Sequence, residues 1–308
     1  MSSIVIALGG NALGKTAKEQ RHAAAITAET IAEIIASGRH VVITHGNGPQ
    51  VGMINSALSV QRGEIEDMPL AECVAMSQGY IGYHLQWAIE RALARRGMKQ
   101  MVCTLITQTV VDPDDTAFLD PTKPVGIFYT QAEAEEMRTK TGEAYMEDVG
   151  RGWRRVVASP KPTDIVESDI IRHMLDQKIV TICCGGGGIP VARINGEYRG
   201  MCAVVDKDYV SALLAEKVGA EHLLILTGVD NVYLNYNSDH PQMLKMLTLD
   251  EACELCSIDA FAKGSMLPKV QAAIQFAKSG GTTLITSPKN ALSALSGNGG
   301  TWIVPNGR

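Results

Sequence analysis

Apolar runs, glycine turns and helical stripes follow one another along this chain in a repeated order. Ile4-Val-Ile-Ala-Leu8 is a short β-branched strand that breaks into Gly9-Gly10-Asn11 and opens an Ala-rich segment. There Ala24, Ala28, Ile31 and Ile35 fall at i, i+4, i+7 and i+11, the stripe of a helix packed on a sheet, with Gly38 as its cap. His40-Val-Val-Ile-Thr44 is a second buried strand, and His45-Gly-Asn-Gly-Pro-Gln50 is a second glycine-rich turn opening a second helix. Two such units place both loops at the carboxyl edge of one parallel sheet, where open α/β folds bind ligands.

The remaining pattern continues in that style. Val74, Ile81, Leu85, Ala88 and Ala92 mark a helix from Cys73 to Arg96 that contains Gly79 and Gly82. Glycine inside a helix costs about 1 kcal/mol relative to alanine, so a close-packed partner is expected, and a subunit interface would supply one. Met101 to Val111 reads as a strand. From Asp112 to Pro162 the texture changes to Asp-Pro pairs, proline clusters and a charged helical piece at Gln131 to Lys140, which predicts a small subdomain projecting from the core as a lid. Ile170 to Lys178 is helical, Ile179 to Cys184 is a strand entering Gly185-Gly-Gly-Gly-Ile-Pro190, and Val191 to Met201 is a hairpin around Asn195-Gly196. Ala203-Val-Val-Asp-Lys-Asp208 enters a helix bearing Val210, Leu213, Leu214 and Val218. A strand at His222 to Thr227, a helix with Val270, Ala273, Ile274 and Ala277 inward, and strands at Thr282 to Thr286 and Thr301 to Val304 complete the sheet.

Composition narrows the function. The 308 residues are 45% apolar and 20% charged, with a net charge of −5 and no Lys/Arg-rich run. That balance argues for a globular protein and against a nucleic-acid or membrane-surface partner. No 18-residue apolar run and no basic leader region are seen, so neither a membrane span nor a secretory signal is expected. Seven cysteines, an odd number, fit reduced thiols in the cytoplasm. Cys253 and Cys256 have redox or zinc spacing but no second pair and no nearby histidine, and read as buried helix positions; Cys183 and Cys184 are read the same way.

Three glycine-rich loops at strand ends with a few lysines beside them describe a phosphoryl-transfer site, because that chemistry needs amides and cations that hold spread negative charge. Gly9 to Thr16 also satisfies the Walker A pattern, with Lys15 and Thr16 in the key positions, so a P-loop kinase or ATPase is a competing reading at this stage. No G-x-S-x-G elbow and no metal-ligand spacing of histidines compete. His45, on the second loop, is either a structural hydrogen-bonder or a phosphate contact.

Taken together, Ala7-Leu-Gly-Gly-Asn-Ala12, His45-Gly-Asn-Gly-Pro-Gln-Val-Gly52, Pro121-Thr-Lys-Pro-Val-Gly126, Gly150-Arg-Gly-Trp-Arg154, Gly185-Gly-Gly-Gly-Ile-Pro190, Asp206-Lys-Asp208 and Gly264-Ser-Met-Leu-Pro-Lys269 resemble the carbamate kinases of the amino-acid kinase family. The resemblance runs in order over nearly the whole chain. It implies an α/β fold, a three-layer αβα sandwich around a mainly parallel sheet, in one domain over 1–308. Within it, 112–162 is the inserted lid, 1–200 approximately the carbamate and phosphoryl half, and 201–308 approximately the nucleotide half. It further implies reversible phosphoryl transfer between carbamoyl phosphate with ADP and carbamate with ATP, Mg2+ carried mainly on the nucleotide phosphates with no metal ligand assigned to the protein, and a homodimer.

By matching motif, Gly9, Gly10, Asn11, Gly46, Asn47 and Gly48 would hold the transferring phosphoryl group and the carbamate. Lys207 and Lys269 would flank the phosphates, with Asp206 orienting them. Asp208, Thr227, Gly228, Val229, Asp230, Met266 and Pro268 would serve the nucleotide. Many family members carry a lysine where this chain has Ala7; the resemblance to carbamate kinases implies that Lys123 on the lid would be its replacement. The Arg151 to Arg155 cluster is assigned to lid architecture. Two alternatives stay open: a family enzyme acting on another small carboxylate or phosphate, and a catalytically silent nucleotide-binding regulator.

Overall fold

Ile4, Ile6 and Leu8 point to one face of their strand and Val5 and Ala7 to the other, and both sets are fully buried. A strand covered on both faces belongs inside a sheet flanked by helices on both sides. The computed structural model describes residues 2–9, 16–59, 68–148, 150–236, 238–262 and 264–307. In chain order, β1 (Ser3–Leu8), α1 (Ala17–Ala36), β2 (His40–His45), α2 (Gly48–Ser59), α3 (Leu70–Arg95) and β3 (Val102–Thr104) come first. They are followed by β4 (Gln108–Val111), β5 (Lys123–Tyr129), α4 (Gln131–Thr141), β6 (Tyr145–Asp148), β7 (Gly152–Val157), β8 (Pro162–Ile165), α5 (Ser168–Asp176) and β9 (Val180–Ile182). The rest comprises β10 (Ile189–Ile194), β11 (Glu197–Gly200), α6 (Lys207–Lys217), β12 (His222–Leu226), β13 (Val232–Leu234), β14 (Gln242–Leu244), β15 (Met246–Thr248), α7 (Leu249–Ser257), α8 (Met266–Lys278), β16 (Thr282–Thr286), α9 (Ala291–Leu295) and β17 (Thr301–Val304).

Eight strands form the central sheet in the order β15-β17-β16-β12-β1-β2-β9-β3. Pairing is parallel from β3 through β16, and only the β16–β17 junction is antiparallel. Helices α1, α3 and α9 cover the face that carries Ile4, Ile6 and Leu8, and α5, α6, α7 and α8 cover the face that carries Val5 and Ala7. The expected three-layer sandwich is the observed one. β1 is the strand from which the order departs in both directions, to β2 on one side and β12 on the other, so the crevice at its carboxyl end is the topological switch point.

The strand expected over 101–111 is instead two strands in two sheets. β3 ends the central sheet, whereas β4 joins a second sheet of order β11-β10-β4-β8. The break between them is held by Gln78 of α3: its amide donates to the Thr107 carbonyl at 3.1 Å, and its oxygen accepts from the Thr107 N–H at 2.9 Å. Periodicity could not reveal this, because an apolar run gives no sign that a buried glutamine on another helix interrupts it. Gly82 does require close packing, but within the chain: a Cβ there would fall 2.2 Å from the Thr104 side chain of β3. Around Gly79, by contrast, nothing lies within 4 Å of the missing Cβ.

Between β4 and β8, which pair antiparallel, the chain makes an excursion built of an antiparallel sheet of order β5-β7-β6 and the helix α4. Val125 and Val157 of that excursion share a buried cluster with Val51, Leu70, Cys73 and Val74 of α2 and α3. Gly52 of α2 also faces Gly126 of β5 so closely that a Cβ at 52 would sit 3.4 Å from the Gly126 Cα.

Candidate active site

Three strand ends converge at Leu8. Its carbonyl accepts from the Gly46 N–H and from the Lys207 ammonium, each at 3.1 Å, which ties the loop after β2 and the first residue of α6 to the end of β1. Gly9 follows directly, and a Cβ there would stand 3.2 Å from the Leu226 carbonyl at the end of β12. Gly10, Asn11 and Lys15 lie outside the described residues. Thr16 caps α1: its hydroxyl accepts from the Glu19 N–H while Glu19 accepts from the Thr16 N–H, a reciprocal capping box that accounts for the threonine of the Walker-like pattern.

His45 is buried beside this junction. Burial, with the nearby Lys207 charge added, pushes its pKa down to about 4 against the opposing pull of the Gly46 carbonyl. The ring is therefore neutral, and Nδ1 must be its donor, since the Gly46 carbonyl 3.0 Å away can only accept. Asn47, also buried, donates to Ser77 Oγ at 2.8 Å, and Ser77 donates to the Val74 carbonyl. Gly48 opens α2 and so brings the free N–H groups of a helix start to the same loop.

The tetraglycine run passes behind this loop. A Cβ at Gly185, Gly186, Gly187 or Gly188 would fall 2.4, 2.0, 2.1 or 2.1 Å from the His45 ring, the Asn47 amide, the Val205 carbonyl or the Thr109 hydroxyl respectively. Four glycines in succession are what it takes to pack one backbone against four others at that range. Thr109 closes the arrangement by donating to the Gly187 carbonyl at 2.8 Å.

Opposite the glycines, three lysines alternate with two aspartates. Lys123 of β5 reaches across from the excursion to Asp206 Oδ2 at 2.7 Å. Asp206 is the N-cap of α6, its other oxygen accepting from the Asp208 N–H. Lys207 and Lys269 lie 2.8 and 3.0 Å from the two oxygens of Asp208. Burial alone would raise the Asp208 carboxyl, but the two ammonium groups outweigh it and hold it below the ordinary carboxylate range. Behind Lys207, β2 is bonded to the start of α6: Ser211 spends its one proton on the Lys207 carbonyl, so Thr44 of β2 is the donor in the 2.6 Å contact with Ser211. The cluster carries one net positive charge and faces the loops that present N–H groups, an arrangement suited to a phosphoryl group.

Beside the lysines opens a cavity of about 900 Å³. Thr227, Gly228, Val229 and Met266, which the motif match assigns to the nucleotide, are among the residues that line it. Asp230 is exposed and Pro268 sits in the first turn of α8, and neither is among the lining residues. Sequence reasoning missed Tyr233, Asn235, Tyr236, Ile258 and Phe261, which also line the cavity. The aromatic and amide run Asn231-Val-Tyr-Leu-Asn-Tyr236 was the available signal. Lys269 follows Met266 by one turn of α8, so this cavity and the lysine cluster share a wall.

The sequence model of the amino acid kinase family matches residues 2–287. The chain belongs to the amino acid kinase family. Within that family it is 50% identical to the carbamate kinase-like protein YqeA of Escherichia coli over 97% of this chain and 98% of that one. It is 48% identical to a carbamate kinase of Staphylococcus haemolyticus, over 98% and 99% of the two chains. Among solved structures of the family, carbamate kinase from Giardia lamblia bound to AMP-PNP superposes with a TM-score of 0.91 at 43% identity, covering 99% of each chain.

Proposed function

We propose that this amino acid kinase catalyses reversible phosphoryl transfer between carbamoyl phosphate with ADP and carbamate with ATP. Relatives named carbamate kinase at 46–48% identity support the substrate, and the AMP-PNP complex of the Giardia protein supports the nucleotide. The observation that carries the reading is the 2.7 Å pair between Lys123 and Asp206, which brings a cation from the excursion to a floor that has Ala7 in place of a lysine.

In this mechanism the 900 Å³ cavity takes the nucleoside, and Lys269 and Lys207 hold its phosphates against the loops at Gly9 and at Gly46 to Gly48. A terminal oxygen of ADP attacks phosphorus, the bond to the carbamate oxygen breaks, and no proton changes hands. Lys123 stands where negative charge gathers on the leaving oxygen. Among the described residues no three His, Cys, Asp or Glu side chains converge as a metal cage. Carboxylates already shared with lysines fit a Mg2+ that would be held mainly by the nucleotide phosphates, with Asp206 the residue that would orient them. When bound, the ion supplies neutralisation of phosphate charge.

Residues 112–162 act as the lid in this proposal. Lys123 is 38% exposed, and a pair of that kind is worth about 0–1 kcal/mol, too little to hold the lid shut by itself. The buried contact of Val125 and Val157 with Val51 and Val74 is what does so. Closure is needed because carbamate has few atoms to bind by: at about 1.5 kcal/mol per heavy atom its affinity is no better than roughly tens of micromolar, and selectivity must come from excluding larger acids. We place the protein in the cytoplasm as a homodimer. No helix among the described residues is long and apolar enough to cross a membrane, and all seven cysteines are free.

The deciding experiment compares ATP formation from ADP with carbamoyl phosphate and with acetyl phosphate, in wild type and Lys123→Ala. Strong preference for carbamoyl phosphate is expected, with turnover of the variant lower by about two to three orders of magnitude, the effect of removing one preorganised charge-stabilising donor. Equal use of acetyl phosphate refutes the substrate, and near wild-type turnover of the variant refutes the role of Lys123.

A further inference from the structure

Pairing between β5 and β7 sets Lys123 opposite Val157, Pro124 opposite Val156 and Val125 opposite Arg155, then lapses and resumes at Tyr129 opposite Trp153. Gly126, Ile127 and Phe128 thus face the single residue Arg154, so the regular pairing of the two strands is interrupted across that stretch. Arg154 bridges the gap with its side chain. Nη2 donates to the Gly126 carbonyl at 3.1 Å, Nη1 lies 3.6 Å from Asp148 Oδ2, and the guanidinium stands 5.1 Å over the Phe128 ring. Only 18% of the side chain is exposed, and its Nε is buried without a hydrogen-bond partner among the described residues. An unmet buried donor costs about 1–3 kcal/mol, so stability alone does not explain an arginine here.

Gly126 is the point where the excursion touches α2 through Gly52, and Lys123 lies three residues before it on the same strand, about 10 Å away when extended. A displacement of β5 at Gly126 therefore moves Lys123 relative to Asp206. We propose that Arg154 is a positioning residue: by clamping the β5 bulge through the Gly126 carbonyl, it sets where the Lys123 ammonium stands in the closed site. The proposal rests on the reading of Lys123 as the cation for the transferring phosphoryl group.

The test is a double-mutant cycle on the full-length enzyme, with kcat and KM measured for Lys123→Ala, Arg154→Ala, Arg154→Lys and each Arg154 variant combined with Lys123→Ala, and folding checked by thermal melting. Arg154→Ala is expected to lower kcat roughly tenfold to a hundredfold, the scale of a misplacement near 1 Å, with KM for ADP changed less than about twofold. Arg154→Lys keeps a charge near Asp148 but lacks the planar fork, and should lose kcat similarly. Added to Lys123→Ala, either change should lower kcat by less than about twofold, because the lysine it positions is gone. Additive losses in the double variants, unchanged kcat in the single variants, or a loss confined to KM for ADP overturns the proposal and leaves the role of Lys123 standing. Near wild-type turnover of Lys123→Ala overturns both. If Arg154→Ala fails to fold, the Arg154→Lys half of the cycle decides between the same outcomes.

Discussion

His45 has its charge state fixed by the fold, and the cost of changing it sets a pH dependence. Its pKa lies near 4 in the folded chain against an ordinary value of 6.5. Between those values the unfolded chain binds a proton at this position that the folded chain does not, so the unfolded state gains as pH falls. The contribution is fully present above pH 6.5 and is lost progressively down to about pH 4. It amounts to about 3 kcal/mol. Urea unfolding at pH 7 and pH 4.5 should show the wild type losing more stability on acidification than His45→Gln, and equal losses would remove His45 as the source. Well above pH 4 the ring stays neutral, so His45 adds no pH dependence to turnover at neutral and alkaline pH. The cysteines need no such role: burial raises the thiols of Cys183 and Cys256, which makes them less reactive.

At the scale of elements, the tetraglycine turn is the most constrained piece of the site. Gly186→Ala puts a methyl group 2.0 Å from the Asn47 amide at a backbone φ of +67°, so either Asn47 leaves Ser77 or the turn moves. Strain and displacement together should cost at least about 2 kcal/mol and lower turnover, and an unchanged melting temperature with full activity would contradict the packing described. That turn also shows what the sequence reveals and what it hides. Strands β1, β2, β9 and β12 were legible because apolar runs, β-branched in the first three and leucine-rich in β12, lead into glycine, and the Asn195-Gly196 hairpin because both residues take positive φ, +53° and +88°. The glycine loops were read from glycine runs that follow strands, whereas Lys123, Lys207 and Lys269 were read only through the motifs shared with carbamate kinases. Residues that act through contacts distant in sequence were not found: Gln78 breaking the strand at Thr107, Thr44 bonding to Ser211 in α6, and Tyr233 and Tyr236 in the cavity wall. One residue type also served two patterns. Thr16 fits a phosphate loop by spacing, yet its bonds are those of a helix cap, which only the partner Glu19 decides.

At the scale of the whole molecule, one face of α3 has no partner among the described residues. Met76, Gly79, Tyr83 and Trp87 follow at helical spacing, the three side chains are exposed, and Arg91 lies 4.4 Å over the Trp87 ring. The opposite face is buried, Ile81, Leu85 and Ala92 against the central sheet and Val74 against α2 and the excursion. Gly82 is explained by Thr104 inside the chain, but the space around Gly79 is open, so a helix from a second copy can approach there without meeting a side chain. This is the contact through which the proposed homodimer would form, and a stable interface needs about 800 Å² from each partner, more than one helix face usually offers. Flanking segments must therefore join it, and a single charge at its centre should be decisive. Trp87→Glu is expected to halve the mass measured by sedimentation at micromolar concentration while leaving the melting of the isolated subunit cooperative, because Trp87 touches neither the sheet core nor the lysine cluster. Gly79→Leu, which fills the open space, should give the same shift in mass. A wild type that sediments as a monomer would refute the dimer, and variants that remain dimeric would move the interface away from α3.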